Sequence, residues 1–158
     1  MQQGLAACQG TGAEVSRPYY LACLAEVYVM SGQAHGAQVV LNKALKIAQT
    51  QGQRLDQARL YWLRGTLLAR ESPAQTSPAK RQIVCKAEAS LRRTLTIARQ
   101  QHAKAWELRA AIGLARLWQG QKKRQAARQL LTEVYSWFTE GFTTPDLQEA
   151  KMLLDELV

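Results

Sequence analysis

Few residues of this 158-residue chain have the types and spacings that catalysis requires. His35 and His102 fall in predicted turn or helix-end positions, where they read as surface histidines with no partnered serine, cysteine or aspartate pattern. Asp146 and Glu149 form a pair of carboxylates, which general acid–base chemistry could use. Because they follow a predicted helix start, they are better explained as charges that favour a helix N-terminus. We therefore expect no enzyme, with an enzyme that lacks a known motif as an open alternative.

The sequence also lacks the usual motifs for cofactors and metals. No Gly-x-x-x-x-Gly-Lys-Ser/Thr loop is present to bind a phosphate. Cys8, Cys23 and Cys85 are odd in number and widely spaced, which favours reduced thiols over a disulfide framework or a zinc site. No apolar run approaches the roughly 20 residues of a membrane span, and no signal sequence is recognisable. These observations predict a cytoplasmic protein with no cofactor and no metal.

The net charge of +9 is unevenly distributed along the chain. Residues 80–128 carry thirteen basic and two acidic side chains, a net +11, whereas residues 129–158 carry one basic and six acidic side chains, a net −5. The basic segment is explained by a solvated helix face or by an acidic partner. Nucleic-acid binding through residues 80–128 is an alternative, although no base-reading motif is recognisable there.

Internal repetition is the strongest structural signal in the chain. The segment 43–51, Lys-Ala-Leu-Lys-Ile-Ala-Gln-Thr-Gln, returns fifty residues later as Arg-Thr-Leu-Thr-Ile-Ala-Arg-Gln-Gln at 93–101. A weaker copy lies forty residues earlier, in 1–12, which we interpret as the end of a helix. Repetition at this period is typical of helical repeat arrays. The sequence therefore predicts an all-α fold without strands.

Apolar spacing places the helices and the breaks between them. The predicted helices cover about 17–30, a second stretch from Ala37 that ends at Gly52, about 55–70, 80–101, 103–119 and 122–138, and a short one after Thr144–Pro145. Thr144 is predicted to cap that last helix with its hydroxyl. The prolines of 71–79 predict a loop inserted between two helices. Gly65, inside a helix, predicts a close helix–helix approach. The four tryptophans are predicted to pack in the core or in a groove, and Cys23 and Cys85 to be small core residues.

The repeated positions resemble a known motif. The first hairpin carries Leu24-Ala25, Tyr28, Gly32, Ala37, Leu41 and Ala44; the third carries Leu114-Ala115, Trp118, Ala127 and Leu131; the second carries Gly65, Ala87 and Leu91. This pattern resembles the tetratricopeptide repeat, and it implies an α-solenoid of about three helical hairpins with a C-terminal capping helix. The units would be 1–12 (the end of a truncated repeat), 13–52, 53–102 with its inserted loop, 103–141 and the cap 142–158, in a single domain.

A narrower resemblance covers nearly the whole chain. It rests on Gly-Leu-Ala-Ala at 4–7, Arg-Pro-Tyr-Tyr at 17–20, Trp-Glu-Leu-Arg-Ala-Ala at 106–111, Leu-Ala-Arg-Leu-Trp at 114–118 and Tyr-Ser-Trp-Phe-Thr-Glu-Gly-Phe at 135–142. These segments are similar to the C-terminal repeats of bacterial predicted ATPases, which often begin with a class III nucleotide cyclase domain. The resemblance implies a scaffold or sensor region of a signalling protein, without the catalytic domains themselves. A fragment of such a protein and a stand-alone chain both agree with this resemblance.

In tetratricopeptide arrays the first helix of each pair lines a concave ligand surface. Carried over residue by residue, the resemblance implies that surface here: Tyr19, Glu26 and Met30; Arg59, Trp62, Thr66 and Arg70; Arg109, Ile112 and Arg116. Arginine can hold a carboxylate with two hydrogen bonds, and the aromatic side chains supply rigid apolar area. We therefore expect a protein or peptide partner, with an acidic segment as the candidate ligand. The alternative is that the ATPase or cyclase domains of a parent protein cover the same surface.

Overall fold

The structure is a computed structural model that describes residues 17–50, 56–71 and 78–157. These residues form helices and short connections and contain no strand. The seven helices are α1 (Arg17–Met30), α2 (Ala34–Thr50), α3 (Gln57–Glu71), α4 (Pro78–Gln100), α5 (Lys104–Gly120), α6 (Arg124–Tyr135) and α7 (Pro145–Glu156). The all-α prediction is thereby confirmed for the described residues. The predicted helix end at 1–12 and the predicted stop at Gly52 lie outside them.

Three predicted boundaries need correction. Glu71 ends α3, and Pro78 and Ala79 begin α4, so the predicted loop 71–79 is too long at both ends. A proline fits the first turn of a helix because its missing N–H would have no partner there. The helix predicted to run to 138 ends at Tyr135, and Ser136 follows as its C-cap. The hydroxyl of Thr144 makes no capping hydrogen bond to α7 and instead donates to the carbonyl of Gly141 at 2.8 Å.

Equivalent tight turns join three pairs of helices. Gly32 between α1 and α2, His102 between α4 and α5, and Lys122 between α5 and α6 all have positive φ, at 74°, 54° and 61°. In each turn the next residue donates its N–H to a carbonyl five residues back, at 2.9 Å: Gln33 to Tyr28, Ala103 to Ala98 and Lys123 to Trp118. This pattern is the Schellman motif, which terminates a helix through a left-handed residue.

The helices pack in sequential pairs, and each odd-numbered helix also contacts the next odd-numbered helix. α1 packs against α2, α3 against α4, and α5 against α6. In addition α1 contacts α3, α3 contacts α5, and α5 contacts α7. The odd-numbered helices therefore form one layer, and α7 continues that layer beyond the last pair.

Two apolar clusters make up the core. The first joins α1, α2 and α3, and the second joins α4 to α7. The repeat positions of α2 named above, Ala37, Leu41 and Ala44, are all buried, and Leu45 and Ala48 are buried on the same face. The half-buried Trp62 packs against both clusters. Ala37 and Ala127, ninety residues apart, are each fully buried, as small side chains at helix contacts should be.

Leu91 of α4 fills a space that two glycines leave open. A Cβ atom at Gly65 of α3 would lie 2.7 Å from the Leu91 Cγ, and one at Gly113 of α5 would lie 3.0 Å from its Cδ2. Leu91 itself is 1 % exposed. The prediction that Gly65 permits close approach is thus confirmed, and Gly113 plays the same part from the other side.

Candidate binding groove

A cavity of about 580 Å³ opens along the odd-numbered layer, between α3, α5 and α7, with α4 beneath. We call it the groove. Six of the ten residues predicted for the ligand surface line it: Trp62, Thr66, Arg70, Arg109, Ile112 and Arg116. Its volume falls in the range of sites that bind small molecules or side chains of a partner.

The inner wall of the groove is apolar. Trp62 of α3 and Ile112 of α5 are joined there by Val84 and Leu91, which reach in from α4, and by Leu117. The α4 residues were not predicted, because the repeat pattern assigns the ligand surface to the first helix of each pair only. Gly113 and Gly120, which also line the cavity, carry no side chain and so leave its volume open.

Arg109 is held on three sides. Its guanidinium lies 4.8 Å from the ring centroid of Trp106 and 5.7 Å from that of Trp62, distances at which cation–π attraction acts. The two indoles meet edge to face at 5.7 Å. The Nε of Arg109 donates to Asp146 of α7 at 2.8 Å. The Arg109 guanidinium is therefore paired with a carboxylate of the chain and is in contact with two of its indole rings.

A second ion pair repeats this contact along the same two helices. Arg116, two turns after Arg109, lies 3.0 Å from Glu149 of α7. Farther on, the side-chain amide of Gln119 donates to Glu156 at 3.3 Å. Because the early residues of α5 meet the early residues of α7, and the late meet the late, the two helices run parallel. Asp146 and Glu149 both line the groove.

The acidic end of the chain thus meets the basic segment before it. Asp146 and Glu149 belong to residues 129–158, with a net −5, and their partners belong to residues 80–128, with a net +11. We predicted these acids as charges at a helix start, and Asp146 does lie in the first turn of α7. Their pairing with arginines was not predicted; the opposite charge of the two segments was the signal for it.

Arg70 differs from the other arginines of the groove. It lies in the last turn of α3 and is exposed. Arg109 and Arg116 are paired with α7, whereas the described residues supply Arg70 with no acidic partner within ion-pair distance. Among the described residues that line the groove, Arg70 is therefore the cation without an ion-pair partner, and an apolar wall lies beside it.

The remaining predicted residues lie outside the groove lining. Arg59 forms a two-pronged ion pair with Glu26 of α1, at 2.9 and 2.7 Å, and it lies 5.3 Å from the ring centroid of Tyr19. The hydrogen bond from Arg59 to Glu26 raises the pKa of this guanidinium further above its ordinary value, despite an opposing effect of burial. Met30 is 86 % exposed. Arg59 thus ties α1 to α3 through Glu26.

A further carboxylate is buried away from the groove. Glu107 of α5, 4 % exposed, accepts hydrogen bonds from Arg99 at 2.9 Å and from Lys104 at 2.8 Å. Burial raises its pKa, but the hydrogen bonds from Lys104 and Arg99 outweigh that effect, so the pKa lies below the ordinary value of 4.5. Glu133 pairs with the same arginine at 2.7 Å. This network connects α4, α5 and α6, and its charges are mutually satisfied.

His35 and His102 are exposed, as predicted. Cys23 is half-buried, but Cys85 is exposed and not a core residue as predicted, because it lies on the outward face of α4. Trp137 is 58 % exposed rather than packed, with the Lys104 ammonium 5.2 Å from its ring centroid.

Neither metal ligands nor a membrane span are found in the part of the chain that the structure describes. No three side chains of histidine, cysteine, aspartate or glutamate converge there as a metal site would require. No helix there combines the length and the apolar character needed to cross a membrane.

Comparison with known proteins does not assign the chain to a family. None of the protein-family models matches the sequence, and the curated proteins yield no significant relative. The geometry of the groove and of the charges around it is therefore the basis on which a function is inferred.

Proposed function

We propose that this protein is a non-catalytic interaction module, a tetratricopeptide-like solenoid that binds a segment of a partner protein in the groove. The observation that carries the proposal is the cavity of about 580 Å³, whose lining includes six residues that the repeat pattern marks as ligand-contacting. Its mixture of apolar wall and arginine is typical of sites that hold side chains of a partner.

The wider setting is part of the same proposal. The resemblance to the C-terminal arrays of bacterial ATPase and cyclase proteins favours a scaffold or sensor role in cytoplasmic signal transduction. In such a protein the partner segment belongs to another protein or to the parent's own ATPase or cyclase domains.

The arrangement of basic side chains makes nucleic acid a weaker candidate. Five basic residues of 80–128 already form ion pairs within the chain: Arg92, Arg99, Lys104, Arg109 and Arg116. A side chain engaged in this way is less able to release counterions from a phosphate backbone, which is the main source of non-specific affinity.

Selection from a random peptide library, followed by fluorescence anisotropy with the selected peptides, tests the proposal. The variant Thr66→Arg would place a long side chain in the groove, and Thr132→Arg, on the exposed face of α6, is its matched control. We expect peptides whose affinity falls at least about tenfold, or about 1.4 kcal/mol, with Thr66→Arg and is unchanged with Thr132→Arg. Failure to select any peptide, or equal binding by both variants, would refute a binding groove at this position.

A further inference from the structure

The number of arginines in the groove overstates how many anionic groups of a ligand it can bind, because two of them are paired with acids of the chain. Three arginines line the cavity, but the guanidinium groups of Arg109 and Arg116 are engaged by Asp146 and Glu149 at 2.8 and 3.0 Å. Of the lining residues that the structure describes, this leaves Arg70 to receive an anion from outside. A ligand with one carboxylate can therefore be neutralised without breaking any contact within the chain.

A ligand rich in acidic groups meets an obstacle in the same cavity. Asp146 and Glu149 are themselves lining residues, so a second or third incoming carboxylate would lie near two fixed carboxylates. Like charges at close range repel, and the protein could accommodate such a ligand only by giving up the contacts between α5 and α7. Asp146 and Glu149 should thus lower the affinity of the groove for polyacidic segments.

The wall beside Arg70 selects a second feature of the ligand. Trp62, Val84 and Ile112 present apolar surface to the cavity, and the neighbouring Ala69 and Leu117 extend it. Burying apolar area contributes roughly 25 cal/mol per Å². A carboxylate alone would leave this wall in contact with water, whereas a bulky apolar side chain next to the carboxylate would cover it.

We infer that the groove recognises a partner segment in which a single acidic residue is next to bulky apolar residues, with the carboxylate on Arg70 and the apolar side chains on the wall of Trp62 and Ile112. Arginine suits this role because its planar fork holds one carboxylate with two parallel hydrogen bonds. The inference rests on the proposed function and specifies its ligand.

Three blocked peptides distinguish this ligand class from others: acetyl-Ala-Glu-Phe-Leu-amide, the same peptide with Gln for Glu, and acetyl-Glu-Glu-Glu-Glu-amide. Each is titrated into the ¹⁵N-labelled protein while the indole N–H resonance of Trp62 is followed by NMR. The titrations are repeated with Arg70→Gln and with a matched control, Arg81→Gln, which changes an exposed arginine of α4 outside the groove lining.

We expect the Glu-Phe-Leu peptide to shift the Trp62 resonance and to bind at least about fivefold more tightly than the Gln peptide, with the tetraglutamate weakest. Arg70→Gln should remove the advantage of Glu over Gln, and Arg81→Gln should preserve it. Tightest binding by tetraglutamate, an advantage of Glu that survives Arg70→Gln, or no response of Trp62 to any probe would overturn the inference. The proposed function would still stand if library peptides bound in a Thr66-dependent way.

Discussion

Gly65 of α3 lies directly against Leu91 of α4, so close that a methyl group on Gly65 would come within 2.7 Å of the Leu91 Cγ. The atom approached is a branch point and not the flexible end of a side chain, and the carbonyl of Ala87 lies 3.3 Å away on the same side. The pair therefore fixes how closely the two helices pack.

Replacing Gly65 by alanine should destabilise the fold. Overpacking of this kind costs about 1 to 3 kcal/mol, which exceeds the gain of up to about 1 kcal/mol from better helix propensity. Gly120→Ala is the control, because a Cβ there meets no atom within 4 Å. Urea unfolding should show a lower free energy of unfolding for Gly65→Ala and an equal or higher one for Gly120→Ala. Equal effects of the two changes would contradict the close contact.

The ion pair between Arg109 and Asp146 should be measurable by a double-mutant cycle. Arg109→Gln also loosens the stacking on Trp106, but that loss occurs with and without Asp146→Asn and cancels in the cycle. Both side chains are about one-third exposed, so we expect a coupling free energy of about 0.5 to 1 kcal/mol that shrinks with added salt. A cycle of Arg109→Gln with Glu140→Gln, an exposed acid, should give none. Zero coupling for the first pair would refute the contact.

Glu107 should make stability depend on pH in the acidic range. The pKa of Glu107 is lowered in the folded protein, so its ionised carboxylate stabilises the fold. This stabilisation is complete above the ordinary pKa of 4.5 and is lost as the pH falls through the lower folded pKa. The free-energy difference between the wild type and Glu107→Gln should be about 2 kcal/mol at neutral pH and should shrink below pH 4.5. Thermal unfolding of both proteins across this range measures it, and a difference independent of pH would be contrary to this account.

Two of the three equivalent turns, those at Gly32 and His102, should respond differently to alanine. Gly32→Ala forces a side chain into the left-handed region and should cost about 1 kcal/mol of unfolding free energy. His102 already bears that strain, so His102→Ala should change stability by less than about 0.5 kcal/mol. Parallel denaturant titrations compare the two, and equal losses would argue against a shared turn geometry.

The helices and their buried faces could be predicted from sequence, because apolar residues recur at the helix positions that face the core. A residue such as Leu41 or Leu131 recurs on the face of a helix that packs inward, and each is buried to at least 99 %. The resemblance to the tetratricopeptide repeat, and not periodicity, implied that Trp62, Thr66 and Ile112 share one surface, and all three line the groove.

Partners across the fold could not be predicted in this way. Arg109 and Asp146 are 37 residues apart in sequence, and periodicity indicates the face of a helix without indicating which side chain opposes it. The exposure of Cys85 was mispredicted because residue type alone does not fix a position on α4. Pro78 was assigned to a loop because proline disrupts the interior of a helix. Proline also fits the first turn, and Pro78 in fact begins α4.

The double contact of Trp62 has a consequence for the unfolding of the protein. Parts of a fold that have separate apolar clusters can open separately, and hydrogen exchange then reveals blocks of unequal protection. Trp62 packs against both the cluster of α1 to α3 and that of α4 to α7, and it also lines the groove. A ligand bound against the Trp62 indole would therefore stabilise the contact between the two clusters. Amide hydrogen exchange should then slow both in α1 to α3 and in α4 to α7.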